Sequence, residues 1–219
     1  MPVEDHAGQV HEQREREFVD RWPWLLPLAA GIFVGAAIFE MLPHAIKDTG
    51  ASAWGWLLAG VALFVAVREG LDYIGRHGLA WAATLGIWSH SFLEGAVTAS
   101  GYTASLLTGL LVSTGLILHL IPELVAVIAV LGAAGVSRRQ AIGRTVVTWG
   151  ILLVGFVVTY VFLPGVSDRT LGAALAVGAG GFLYLGYVSW RERRWSLAKS
   201  SLVAGAGVAL LAALALVTD

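Results

Sequence analysis

The sequence predicts an all-α protein, a polytopic membrane helix bundle with seven transmembrane helices. Hydrophobic residues make up 57% of the 219 residues and charged residues 13%, whereas soluble domains have roughly 45–50% and about 25%. Seven apolar stretches approach or exceed the roughly 20 residues that cross a bilayer as a helix. Basic residues also alternate between the segments that connect these stretches. We therefore expect a multi-pass protein of the cell membrane, with the lipid bilayer as its surroundings.

The apolar stretches follow one another at short intervals. They are 22–46, 52–67, 79–99, 104–131, 143–163, 170–189 and 197–217. The second is the shortest, and we expect it to borrow residues from its flanks. No internal repeat or second domain is evident. The chain therefore divides into a solvated cytoplasmic tail, 1–21, and a single transmembrane domain, 22–219.

The tail mixes six acids with three arginines. A secretory signal needs a basic start and an apolar middle, so this segment is not one. His6 and His11 lie near acids in the tail, and His77 lies in a connecting segment. Incidental solvated histidines are the simpler interpretation of all three, with metal collection by His6 and His11 as the alternative.

The basic residues predict the orientation. If the amino terminus lies inside, twelve of the fourteen fall in inner segments and only Lys47 and Arg169 fall outside. Cytoplasmic segments carry the excess of Lys and Arg in membrane proteins. The twelve are Arg14, Arg16, Arg21, Arg68, Arg76, Arg138, Arg139, Arg144, Arg191, Arg193, Arg194 and Lys199. Seven crossings with the amino terminus inside and the carboxyl terminus outside follow.

Composition also narrows the function. The chain has no cysteine, so it has no disulfide, thiolate metal site or thiol nucleophile, and imidazole and carboxylate are its strong ligands. No cluster of Lys and Arg lies beside stacking aromatic residues, as a nucleic-acid partner would require. The sequence calls for no organic cofactor and is compatible with a homo-oligomer.

Ionisable residues at membrane depth form three pairs, each a histidine and a glutamate four residues apart. They are Glu40 and His44, His90 and Glu94, and His119 and Glu123. Four residues turn through about 400° in an α-helix, so each pair shares one face, about 6 Å apart along the axis. An acid at the bilayer centre costs about 2.5–3.5 kcal/mol on insertion scales, so each pair needs a partner or a task.

The third and fourth stretches place His90 and His119 at comparable depth near the bilayer centre. His90, Glu94, His119 and Glu123 would offer two imidazoles and two carboxylates, which neutralise a divalent cation in a low-dielectric interior. Nitrogen and oxygen ligands suit Zn²⁺, and also Fe²⁺ or Mn²⁺. Metal or proton handling is therefore expected here, with the two in competition.

Glu40 and His44 lie toward the outer end of the first stretch, where we expect an outer relay. Pro43 and Pro122 should bend their helices beside these pairs, because each removes a backbone donor. Ser91 and Thr98 are expected to hydrogen-bond between helices.

HSFLEG at 90–95 and HLIPEL at 119–124 resemble motifs of the ZIP family of divalent metal transporters, H-N-F-P-E-G and H/Q-x-x-P-E on consecutive helices. The resemblance implies a primary metal site at His90, Glu94, His119 and Glu123. It also implies transport of a divalent metal ion, Zn²⁺ first, into the cytoplasm. Motif-bearing helices of this family are thought to move as a block against a scaffold, which exposes the site alternately to each side.

The chain departs from the family pattern in several places. The family usually has eight helices with both ends outside, whereas its first helix has no counterpart here. Leu93 replaces the motif's proline. Ser91 replaces a common asparagine, Leu120 replaces a polar residue and the fifth stretch has no acid, so we expect one metal ion rather than two. FEMLPHA at 39–45 is similar to the family's H-L-L-P-E-A with acid and histidine exchanged.

Two alternatives to a transporter stay open. One is a seven-span membrane metal-dependent hydrolase, which would use the metal to activate water. It is disfavoured because H-E-x-x-H is absent and both nearby glutamates are needed as ligands. The other is a membrane protein that binds or senses metal without moving it. We expect a transporter and not an enzyme.

Overall fold

The structure is a computed structural model that describes residues 22–73, 78–162 and 167–218. These residues form seven helices and no strand. The helices are α1 (Leu25–Thr49), α2 (Ser52–Tyr73), α3 (Gly78–Ala104), α4 (Leu106–Ala133), α5 (Arg138–Phe162), α6 (Asp168–Arg191) and α7 (Leu197–Thr218). The predicted polytopic helix bundle is confirmed. The predicted tail, 1–21, with His6 and His11, lies outside the described residues, as does His77.

Serine begins three of the helices. The hydroxyls of Ser105, Ser137 and Ser167 accept hydrogen bonds from the backbone N–H three residues on, at the starts of α4, α5 and α6. Such a cap satisfies one of the donors that the first turn leaves without a helical partner. Short polar links therefore separate long apolar helices.

Six of the seven described helices, all but α3, are long and apolar enough to cross a membrane. Helix α3 has 27 residues, so length does not exclude it. Its sequence carries His90 and Glu94, which lower its hydropathy. Among its described side chains only Leu85, Ser89 and Thr103 are exposed, so little of α3 would face lipid. The helices that would face lipid, and so need apolar surfaces, are the peripheral α2, α5 and α7. The most apolar 18-residue segment of each is only 17% buried inside the protein.

Glycines bring α3 and α5 into backbone contact. A Cβ atom at Gly95 would overlap the carbonyl oxygen of Leu152, and one at Gly155 would overlap that of Phe92. Thr84 meets Arg144 near the starts of the two helices, and Tyr102 meets Phe156 near their ends, so α3 and α5 are parallel. Small residues allow this close approach in membrane helices.

Two other parallel pairs use the same device. In the pair α1 and α7, a Cβ at Gly31 would overlap the carbonyl oxygen of Ala204. In the pair α2 and α6, a Cβ at Gly60 or Gly180 would overlap the opposing backbone. Helices an even number of positions apart must be parallel if every helix crosses the bilayer. The pairing therefore supports the prediction of seven crossings.

Helix α2 is longer than its apolar stretch, because polar contacts continue it. Arg68 donates to the hydroxyl of Tyr184 in α6 at 3.2 Å and lies 3.6 Å from Asp72 one turn on. On α5, Arg144 donates to Thr84 of α3 at 2.8 Å. Both arginines belong to the predicted inner segments. Each bond therefore joins the two helices of one parallel pair at the same end of the bundle.

Helix α1 is not a uniform α-helix. Residues Leu25–Gly35 are α-helical, Ala36–Met41 form a π-helical segment, and Leu42–Thr49 return to the α form. Pro43 cannot donate to the carbonyl four residues back, which loosens this turn. The irregular backbone expected beside Pro43 therefore takes the form of a π-segment that contains Glu40. Pro122, by contrast, lies inside the continuous helix α4.

Candidate metal centre

Three of the four predicted ligands meet between α3 and α4. Nε2 of His90 lies 3.0 Å from Oε1 of Glu94 and 3.2 Å from Oε2 of Glu123. One ligand atom from each residue lies within 4.8 Å of the other two. The three side chains are 1%, 6% and 0% exposed. Two carboxylates and an imidazole therefore converge where water scarcely reaches.

The helix repeat explains this convergence. His90 and Glu94 are four residues apart on α3, so they share a face. Glu123 reaches the same point from α4, which packs directly against α3. His119 lies four residues before Glu123 on α4. Its backbone belongs to that helix, and its side chain lies outside what the structure describes.

The geometry is compatible with a small divalent ion. Zinc bound to nitrogen and oxygen at about 2.0–2.2 Å in tetrahedral geometry holds neighbouring ligand atoms about 3.4 Å apart. The two His90 to glutamate distances, 3.0 and 3.2 Å, need only slight expansion to match. Two carboxylates would also neutralise the ion charge, which burial otherwise makes expensive.

An aromatic wall closes one side of the cluster. The His90 ring centroid lies 4.7 Å from that of Phe182 in α6, and Phe182 meets Phe33 of α1 edge to face at 5.2 Å. Phe33 and Phe182 are at most 1% exposed. This wall excludes water from one side of the ligands.

A cavity of about 160 Å³ adjoins the other side. Its lining includes His90 and Glu94 from the cluster, and Glu40 and His44 from α1. Leucines of α4 and α7 supply much of the remaining wall. One continuous cavity thus joins the central cluster to the residues predicted as an outer relay.

The outer pair has an orientation fixed by the backbone. Nδ1 of His44 donates to the carbonyl oxygen of Glu40 at 2.7 Å. In a neutral imidazole the lone pair then lies on Nε2, the nitrogen that can ligate a metal. His44 is exposed and Glu40 half-buried, so this end of the cavity is the more accessible one.

Two hydroxyls near the cluster behave differently from the sequence expectation. Ser91 and Thr98 are 0% and 5% exposed, and within the described chain their oxygens have no hydrogen-bond partner. The expected bonds between helices are therefore wrong. Thr98 lines the cavity, a position that its sequence spacing of four residues after Glu94 could have indicated. Nothing in the sequence indicated that Phe182 lies beside His90.

Comparison with known proteins gives three informative relatives. The chain is 26% identical over 225 residues to zinc transporter ZIP13 of Pongo abelii, which covers 89% of this chain and 67% of the relative. It is 34% identical over 108 residues to human zinc transporter ZIP4 and 28% identical over 121 residues to zinc transporter ZIP6 of Pongo abelii. These matches cover 49% and 55% of this chain but only 16% of each relative. No family model matches the chain.

Proposed function

Because this chain belongs to the ZIP family of metal transporters, we propose that it carries a divalent transition metal ion across the membrane. We further propose Zn²⁺ as the first substrate, with Fe²⁺ and Mn²⁺ as alternatives, and the cytoplasm as the destination. The observation that carries the proposal is the buried convergence of His90, Glu94 and Glu123 at the end of a cavity. The chain is a multi-pass membrane protein, and its relatives are transporters rather than enzymes.

In the proposed mechanism the ion is bound by His90, Glu94, His119 and Glu123. Glu40 and His44 would take it first, because they line the accessible end of the same cavity. A negative carboxylate and a neutral imidazole would draw a cation in without holding it as strongly as the central ligands. The relay therefore ends where two carboxylates can neutralise the ion.

Alternating access is the proposed mode of movement. The cavity lining includes His90 and Glu94, while the buried Phe182 lies against the His90 ring. An ion bound at the centre can then leave in the opposite direction only if helices around the cluster shift. The close backbone contact of α3 with α5 suits movement of these helices together.

The hydrolase alternative has less support. A catalytic metal needs an open position for water and a separate general base. Glu94 and Glu123 are both within contact of His90, so both serve better as ligands than as a base. A sensor that holds metal without moving it differs from a transporter only in flux, which the experiment below measures.

Uptake into proteoliposomes that contain a zinc-sensitive dye tests the proposal. The wild-type chain should transfer Zn²⁺ to the lumen, and His90→Ala and Glu123→Ala should abolish the transfer. Glu69→Ala is the matched control, because Glu69 is an exposed acid of α2 away from the cavity. Binding without uptake would identify a sensor, and uptake unaffected by both site variants would remove the site assignment.

A further inference from the structure

Hydroxyl groups in these helices follow a common pattern. Among the described residues, nine serine or threonine side chains donate to the carbonyl oxygen four residues earlier, at distances of 2.7–3.1 Å. They are Thr49, Thr84, Ser89, Ser100, Ser113, Thr114, Thr145, Thr148 and Ser189. This bond satisfies a hydroxyl in an apolar setting without any neighbouring helix.

Thr98 departs from that pattern. It is 5% exposed, and its Oγ1 atom has no hydrogen-bond partner in the described part of the chain. A buried hydroxyl without a partner destabilises the fold, and the ordinary bond to the preceding turn would remove that cost. In the structure Oγ1 does not make that bond, and the Thr98 side chain is part of the cavity lining.

The position of Thr98 lies in line with the central ligands. His90, Glu94 and Thr98 follow at intervals of four residues on α3, so they form one stripe along the helix. Thr98 lies about 6 Å beyond Glu94 along the axis, in the direction of the outer end that the sequence predicts. The same cavity contacts Glu40 and His44.

We propose that Thr98 is an intermediate binding position on the path of the metal ion, between the outer pair and the central cluster. The inference rests on the proposed transport function. Its hydroxyl oxygen accepts a hydrogen bond from a water of the hydrated ion, or ligates the ion directly, while that ion exchanges water for protein ligands. The apolar side chains Val97, Leu111 and Leu211 also line the cavity and cannot do this.

The neutral hydroxyl oxygen of Thr98 suits a site that the metal ion occupies only briefly. A carboxylate there would add charge attraction and hold the divalent ion before it reached the centre. An efficient path needs contacts that favour entry yet release the ion to the next site. Thr98 therefore binds the moving ion weakly, while the carboxylates provide the strong binding.

Thr98→Val tests the role, because valine keeps the shape and removes the oxygen. Initial Zn²⁺ uptake at sub-saturating concentration should fall about tenfold, as expected for the loss of one hydrogen bond to a charged species. Equilibrium Zn²⁺ affinity of the detergent-purified protein should not change, because the central ligands remain. Thr98→Ser should retain wild-type uptake.

Thr148→Val is the matched control. Thr148 is also buried, but its hydroxyl donates to the carbonyl of Arg144 at 3.1 Å and is not among the cavity lining. This variant should lower the thermal unfolding midpoint and keep normal uptake per folded protein. Thr98→Val should keep or raise the midpoint, because it removes an unpartnered buried hydroxyl.

Failure of the proposed role of Thr98 and failure of the transport function give different results. Normal uptake by Thr98→Val, with a transporting wild type, overturns the role of Thr98 and leaves the transporter intact. A lowered midpoint in Thr98→Val overturns it in favour of structural hydrogen bonding, and weakened equilibrium affinity overturns it in favour of a central ligand. If the wild-type protein binds Zn²⁺ but transfers none, the proposed function itself fails.

Discussion

Oε2 of Glu123 lies 3.2 Å from Nε2 of His90, and the two side chains come from adjacent helices. Neither is more than 1% exposed. Each helix alone supplies an incomplete set of ligands, so the packing of α3 against α4 creates the site. A change at Glu123 should therefore act on the affinity of the whole cluster.

Glu123→Gln should weaken Zn²⁺ binding by at least about 100-fold, because even indirect partners of metal ligands change affinity by about 10–100-fold. Glutamine keeps the size of the side chain and removes one of two neutralising charges. Competition with a zinc-sensitive dye in detergent measures the affinity. Glu69→Gln should bind as wild type, and equal affinities in both variants would contradict the assignment of Glu123.

Zn²⁺ affinity should fall as pH decreases from about 7.5 to about 5.5, because protons and metal compete for imidazole and carboxylate atoms. The sign follows from the ligands: metal binds their deprotonated forms, so acid favours release. Dye competition repeated across this range gives the slope. A binding curve that did not change with pH would exclude a site made of these groups.

The chain should bind one metal ion tightly. Among the described residues, the structure contains one cluster of three His, Asp or Glu ligand groups. Ser91 and Leu120 occupy positions where the resembling motifs carry amide or polar groups. Native mass spectrometry should find one Zn²⁺ per wild-type chain and none on His90→Ala. Two tightly bound ions on the wild type would require a further set of ligands.

Gly155→Ala should lower the thermal unfolding midpoint and reduce uptake. Its new methyl group would overlap the carbonyl oxygen of Phe92 in α3, two residues before Glu94. The control is Gly150→Ala on the same helix, where a Cβ meets nothing within 4 Å. That variant should be neutral or more stable, because alanine favours a helix over glycine by about 1 kcal/mol. Equal loss in both variants would exclude close packing as the cause.

His44→Ala should raise the KM for Zn²⁺ uptake while leaving the maximal rate nearly unchanged. His44 lines the outer part of the cavity but lies outside the central cluster. Removing it should slow capture at low metal concentration, and saturation should restore the rate. Initial rates over a range of Zn²⁺ concentrations measure both constants. A loss of maximal rate with unaltered KM would place His44 in a later step.

The helices could be predicted from the sequence because the length of an apolar stretch and the positions of charged residues are local features. The seven predicted stretches correspond to the seven described helices, within a few residues at most ends. The largest differences lie where charged residues stay helical. Arg68 and Asp72 extend α2 because Arg68 bonds to Tyr184 of α6 and lies beside Asp72. Hydropathy cannot reveal a partner that lies in another helix.

The central cluster was also accessible from sequence, because a four-residue spacing fixes the face of a helix. That spacing pairs His90 with Glu94 and His119 with Glu123, and in the structure Glu123 lies across the helix interface from His90. The partners of the glycines were not accessible. Only the folded chain pairs Gly31 with α7 and Gly60 with α6.

Thr98 marks a different limit. Its residue type suggested a hydrogen bond between helices, which the structure does not contain. The choice among a bond to the preceding turn, a bond to another helix and a position on a cavity depends on side-chain rotation and on the neighbouring wall. The spacing of α3 places Thr98 on the same face as Glu94 but does not decide among these three.

The π-segment Ala36–Met41 also sets the phase between the two halves of α1. Each residue of an α-helix turns the chain by about 100°, so deletion of one residue here would rotate the outer half by about that angle. Leu25–Gly35 could keep its packing while His44 left the cavity wall. Neighbouring helices hold Leu25–Gly35 in place. The one extra residue of the π-segment sets the direction in which the side chains of Leu42–Thr49 point.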